Sequence, residues 1–175
     1  MSLKKHPRVP TISREGRWQI RFAEGWLGLG NSGEASKSLS CLSASEQNHP
    51  DVLALRWSVC AASDSWSEAF QVACQHLDQF EEDVRAWINH SYALRRMEGG
   101  GLDKAWSSLI RAHDRFPNEM LIPYNLACYK CQLGEHEAAM ELFKQALANG
   151  TPKDIIAMAR KDSDLAPLLA LIEAL

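Results

Sequence analysis

Tyr124-Asn-Leu-Ala-Cys-Tyr-Lys-Cys-Gln-Leu-Gly-Glu-His-Glu-Ala-Ala-Met-Glu-Leu-Phe-Lys-Gln-Ala-Leu-Ala148 reads as one apolar-periodic helix, a short turn at Gly134-Glu-His136, and a second helix with a small residue, Ala139, near its start. The same pattern occurs three more times upstream. The turns there are Gly33-Glu-Ala35, Asp64-Ser-Trp66 and Gly99-Gly-Gly-Leu102, followed by Ser38, Ala69 and Ala105. Successive small residues are spaced 31, 36 and 34 apart. Self-similarity at such a period is the signature of stacked helix pairs, each too small to bury its apolar faces alone.

The fourth unit is similar to the tetratricopeptide repeat (TPR) along nearly its whole length, with Leu126, Ala127, Gly134, Ala139, Phe143 and Ala146 on the family's signature positions. The third resembles it through Trp87, Leu94, Ala105, Leu109, Ala112 and Pro117, with two extra residues in its glycine turn. The second carries Trp66 and Ala69 but Glu81 in place of the usual Pro; the first carries Gly33, Leu42 and Pro50. The resemblance spans about residues 17–149 and implies an all-α, right-handed solenoid of four helix pairs. Helices are expected at about 17–30, 35–47, 51–63, 66–80, 84–97, 102–115, 119–132 and 135–148. Asp51, Asp83 and Asn118 are placed to cap helix starts.

Composition agrees. Val, Ile and Thr total 15 of 175 residues, too few for a sheet, whereas Ala and Leu total 43 and favour helix. The domain organisation expected is a flexible N-terminal arm over 1–13, the repeat array over 14–149 and capping helices over 150–175. Pro152 suits a helix start, and Ile155, Ile156, Leu165, Leu168, Leu169 and Ile172 can cover the apolar end of the array.

Net charge −3 argues against a dedicated nucleic-acid binder, and no apolar run is long enough to span a membrane. The basic start has no apolar region behind it, so no secretory signal is expected. Five cysteines, an odd number without such a signal, point to reduced thiols and a cytoplasmic location. Cys128-x-x-Cys131 lies inside a helix and lacks further zinc ligands, so no metal is expected. Gly28-Leu-Gly-Asn-Ser-Gly33 matches a dinucleotide fingerprint, but what precedes it has helical periodicity, so no cofactor is expected. No H-E-x-x-H or G-x-S-x-G motif occurs, and no enzyme activity is expected.

In TPR arrays the first helix of each pair lines a concave groove. Helical spacing then selects Arg85, Asn89, Tyr92 and Arg96 in the third pair, and Leu121, Asn125, Cys128 and Gln132 with the neighbouring Tyr124 in the fourth. Ile20, Glu24, Leu27 and Asn31 are selected in the first pair, and Asp51, Leu55, Ser58 and Ala62 in the second. Guanidiniums pair with carboxylates, and Tyr and Asn anchor a peptide backbone. The peptide groove is therefore expected at Arg85, Asn89, Tyr92, Arg96, Tyr124, Asn125 and Cys128, with another protein's peptide or helix as partner. The chaperone-tail clamp of some TPR domains is matched at Asn89 alone and is not expected. The function expected is a non-catalytic adaptor, monomeric or homodimeric; the alternative is a chaperone for an exported or aggregation-prone client.

Two features lie outside the groove. Lys4, Lys5, Arg8, Arg14, Arg17 and Arg21 oppose only Glu15 over residues 4–21, either as a solvated terminus or as a contact for an acidic partner. Trp18, Phe22 and Trp26 form a stripe on the first helix. Packing on the second pair or under residues 7–13 is expected; an exposed stripe gripping a second copy or a partner helix is the alternative, favoured if Trp26 is more than about half exposed.

Overall fold

The structure, a computed structural model, describes residues 9–175. The described residues form helices and no strand. They divide into two compact units, one ending at Gly99 and one beginning at Gly100. The first unit holds α1 (Arg14–Gly28), α2 (Ser32–Ser40), α3 (Pro50–Ala62), α4 (Trp66–Gln79) and α5 (Val84–Arg96). The second holds α6 (Leu102–His113), α7 (Leu121–Gln132), α8 (His136–Asn149), α9 (Pro152–Ala159) and α10 (Leu169–Ile172). Short 3-10 segments lie at Glu46–Asn48 and Ser163–Leu168. In the first unit each helix packs on the next, as do α6 to α9 in the second. The expected third pair, α5 and α6, falls on either side of the division.

The repeat register is sharper in the structure than in the sequence. Ala69, Ala105 and Ala139 are each the fourth residue of their helix and fully buried. The fourth residue of α2 is Ala35, also fully buried, and not Ser38. With Ala35 in place the spacings become 34, 36 and 34. The turn shifts with it: Gly30, not Gly33, has positive φ (75°), as do Asp64 (54°) and Gly134 (79°). Just after each of these, Asn31, Ser65 and Glu135 donate their N–H groups to the carbonyls of Trp26, Cys60 and Lys130, each five residues back, at 2.8–2.9 Å. This left-handed turn closes the first helix and frees the chain to reverse.

Local chemistry accounts for the boundaries that differ from expectation. α1 starts at Arg14 rather than 17 because the Ser13 hydroxyl accepts the Gly16 N–H (2.9 Å). α2 stops at Ser40 rather than 47. The Ser43 N–H and hydroxyl go to the Glu46 carboxylate (2.9 and 2.6 Å), which takes the chain out of the helix ladder. Asp83 caps α5 as expected, but α3 is capped by His49 rather than Asp51, and the first N–H of α7, that of Leu121, goes to Glu119 (3.1 Å) rather than Asn118.

Residues 1–8 of the expected arm lie outside the described residues. Of the rest, Ile12 packs on the core of α1, α2 and α3, and the Ser13 N–H donates to Glu46 (2.8 Å). At the other end, Ile155, Leu165, Leu168 and Ile172 are buried, while Ile156 and Leu169 are half-buried. Burying each such side chain contributes about 2 kcal/mol. The glycines of the fingerprint-like stretch fall at the α1 end, in the turn and inside α2.

Candidate protein-binding face

α5 carries a continuous polar and aromatic face in the first unit. Tyr92 meets Trp57 of α3 edge-on, ring centres 5.7 Å apart, and Trp66 of α4 at a tilt, 5.9 Å apart. Arg96 lies over this cluster, its guanidinium carbon 3.6 Å from the Tyr92 ring centre and 5.2 Å from that of Trp66. The aromatic faces hold the cation by its charge, and no carboxylate does so among the described residues. Arg96 Nη1 and Trp57 Nε1 are both buried donors without a hydrogen-bond partner. Buried donors left unmade are costly in a folded chain. Asn89, one turn before Tyr92, is half-buried, and its side chain makes no hydrogen bond among the described residues.

Arg85 has a different role. Its guanidinium donates to both oxygens of Asp83 (2.7–3.1 Å) and pairs with Asp51 of α3 (2.8 Å). These hydrogen bonds raise the Arg85 pKa against the opposing pull of burial. Burial pushes the Asp83 carboxyl upward, but hydrogen bonds from buried His76 (3.1 Å) and Arg85 outweigh it and hold Asp83 well below the usual carboxylate range. Arg85 thus ties α5 to α3, and Asp51 and Asp83 already neutralise it.

In the second unit the expected groove residues are engaged by the chain itself. Tyr124 and Cys128 are buried, and both donate to Asp162 Oδ2, at 3.1 and 3.5 Å. Gln132 donates to the Asp164 carbonyl (2.9 Å). Asn125 turns back to the Leu121 carbonyl of its own helix (2.7 Å). Burial first, then the neighbouring Cys128 and Asp162, push the Tyr124 phenol well above its ordinary value. The α7 face that periodicity assigned to a peptide thus lies against the 162–168 segment.

No protein-family model matches this chain, and no curated protein does.

Cys128, Asp162 and Asp164 bring one sulfur and two carboxylate oxygens within 4.8 Å of one another. Asp162 there is the cap of the 3-10 segment: Oδ1 accepts the Asp164 N–H (3.0 Å), and Oδ2 accepts from Tyr124 and Cys128. Cys131 is buried beside it, its thiol pKa raised by desolvation, so it is poorly suited to act as a nucleophile. No helix among the described residues is long and apolar enough to cross a membrane.

Ile20 and Leu27, selected for the groove in the first pair, pack inward on Ala23, Ala35, Leu39 and Val52, as does Leu55. The opposite face of α1 therefore points outward. Trp18 and Phe22 are 49% and 52% exposed and stack on each other, and Trp26 is 39% exposed. Trp26 stays below half exposure, yet the packing expected for the stripe does not cover Trp18 and Phe22.

Helical spacing on α5 selected Asn89, Tyr92 and Arg96, which do share a face. It missed Trp57, which completes the cluster from another helix. It also missed Asp162, whose hold on Tyr124 and Cys128 has no local sequence signal across that separation.

Proposed function

We propose that the chain is a non-catalytic adaptor of the cytoplasm. In this reading its helix pairs are TPR-like repeats of a right-handed solenoid, and the face formed by Asn89, Tyr92 and Arg96 binds a peptide or helical segment of another protein. The repeat reading is supported by fully buried alanines at the fourth position of four helices. The binding reading rests on one observation. Arg96 is a cation held by two aromatic rings, with its Nη1 and the Nε1 of Trp57, which packs on the same Tyr92, both lacking acceptors. Both atoms are shut off from solvent in the free chain, so a partner's backbone carbonyl or carboxylate would supply them as the cluster opens on binding. Arg85, Tyr124, Asn125 and Cys128 have partners within the fold and serve its stability in this account.

The test is affinity capture with wild type beside Arg96→Met, which keeps the volume over the aromatic rings and removes the donors. A specific partner is expected to be retained by wild type and lost by the variant. Equal retention would remove Arg96 from the site.

A further inference from the structure

The outward face of α1 is a second surface, independent of the Arg96 cluster. Glu15, Trp18, Phe22, Trp26 and Leu29 follow one another at three- and four-residue steps, so they lie on one side of the helix. All are exposed, Leu29 to 77%. Arg14, Arg17 and Arg21 line one edge of this stripe. Arg21 sits over the Trp18 ring (5.3 Å), and Arg17 donates to the Ile12 carbonyl (3.0 Å). None of the three guanidiniums pairs with a carboxylate among the described residues. An apolar seam with one charged rim is the pattern of a helix that packs on another helix.

The glycines of α1 add an independent sign. Gly16 is required by the fold, because a Cβ there would run into the Glu46 carboxylate. Gly25 is exposed beside the stripe, and a Cβ there would meet nothing. Glycine inside an exposed helix costs about 1 kcal/mol relative to alanine, and nothing in the described fold asks for it. A bare backbone at Gly25 lets another chain come close.

We propose that the α1 stripe is a docking surface for an amphipathic helix of another protein, with an apolar face against Trp18, Phe22 and Trp26 and an acidic rim against Arg14, Arg17 and Arg21. A second copy fits less well. It would bring three more guanidiniums to the seam against only Glu15 and Glu24. An anionic lipid surface also fits less well, because Glu15 lies in line with the aromatic residues and insertion would bury its carboxylate unpaired. Lys4, Lys5 and Arg8 lie outside the described residues.

The test is selection from a displayed library of helical peptides, comparing wild type with Trp18→Ser/Phe22→Ser. Sequences with large apolar residues at three- and four-residue spacing and flanking Asp or Glu are expected to enrich on wild type only. The Arg17→Glu/Arg21→Glu variant, which keeps the aromatic stripe, should weaken the selected peptides about tenfold or more, with the wild-type affinity falling as salt rises. Circular dichroism of both variants should match wild type, since every altered side chain is exposed. If the aromatic variant unfolds, the arginine variant alone decides. No stripe-dependent enrichment, or enrichment of neutral or basic helices, would overturn the proposal. So would dimerisation through the stripe in analytical ultracentrifugation, or stripe-dependent binding to phosphatidylserine vesicles. Arg96→Met should leave this binding unchanged, so failure of one surface does not decide the other.

Discussion

Arg96 places its guanidinium carbon 3.6 Å from the centre of the Tyr92 ring while its Nη1 is buried without an acceptor. A cation serving stability alone would be placed with its donors satisfied, as Arg85 is by Asp51 and Asp83. In the proposed reading Arg96 binds and Arg85, the other arginine of this contrast on α5, stabilises.

Replacing them should therefore give opposite results. Arg96→Met removes an unsatisfied buried donor and leaves a thioether over the rings, so stability should stay within about 1 kcal/mol of wild type. Arg85→Met leaves Asp51 and Asp83 facing each other without a cation. It should lower stability by about 1–2 kcal/mol, or about 2–8 °C in the thermal midpoint. Thermal melts followed by circular dichroism check both.

The repeat register makes a second prediction. Ala105 and Ala139 are fully buried near the starts of α6 and α8. Glutamate at either position would bury an unpaired charge and should cost about 3 kcal/mol or more. The same change at Ser38, which is half-buried and outside the corrected register, should cost about 1 kcal/mol or less. Urea titration of the three variants reads the order directly.

Much of this was legible from the sequence, and what was not has a physical reason. The periodicity of residues 124–148 marks both helices of that pair, because apolar spacing is a local property. The first pair was misread by three residues. The Gly28–Gly33 stretch offers three glycines, and only backbone geometry picks Gly30 as the turn. The α5 face was legible where one helix supplies it. Periodicity cannot tell that Arg85 meets Asp51, or that Asp162 reaches back to Tyr124, since each pairing joins segments distant in sequence.

Acid should loosen α1 before the rest. Hydrogen bonds from Ser43 and Ser13 hold the Glu46 carboxyl at about 2, against an ordinary value of 4.5. Because the folded value is the lower one, this stabilisation is fully present above about pH 4.5 and is lost as pH falls toward about 2. Glu46→Gln should remove that dependence. Fluorescence of Trp18 and Trp26 on α1, followed through an acid titration, checks it.

The α1 glycines should respond in opposite directions. Gly16→Ala forces Glu46 aside and should destabilise the first unit. Gly25→Ala meets nothing and should stabilise α1 by about 1 kcal/mol. Equal effects in chemical denaturation would show that Gly16 does not hold the α1–Glu46 contact.

The second unit should loosen when its C-terminal contact is cut. Asp162→Ala leaves the buried Tyr124 hydroxyl without its acceptor and the 3-10 segment without its cap. The expected loss is about 1–3 kcal/mol. Faster amide hydrogen exchange should appear in residues 121–132 and 162–172, with α1 to α3 unchanged.

The most direct test of the binding account is site-specific photocrosslinking. A benzophenone amino acid is placed at Asn89 on α5 and, as a control, at Gln132 on α7, and the products are identified by mass spectrometry. The account predicts a protein crosslinked from position 89, absent from position 132 and lost when Arg96→Met is added. A crosslink from position 89 that survives Arg96→Met, or one formed at position 132 alone, would contradict it.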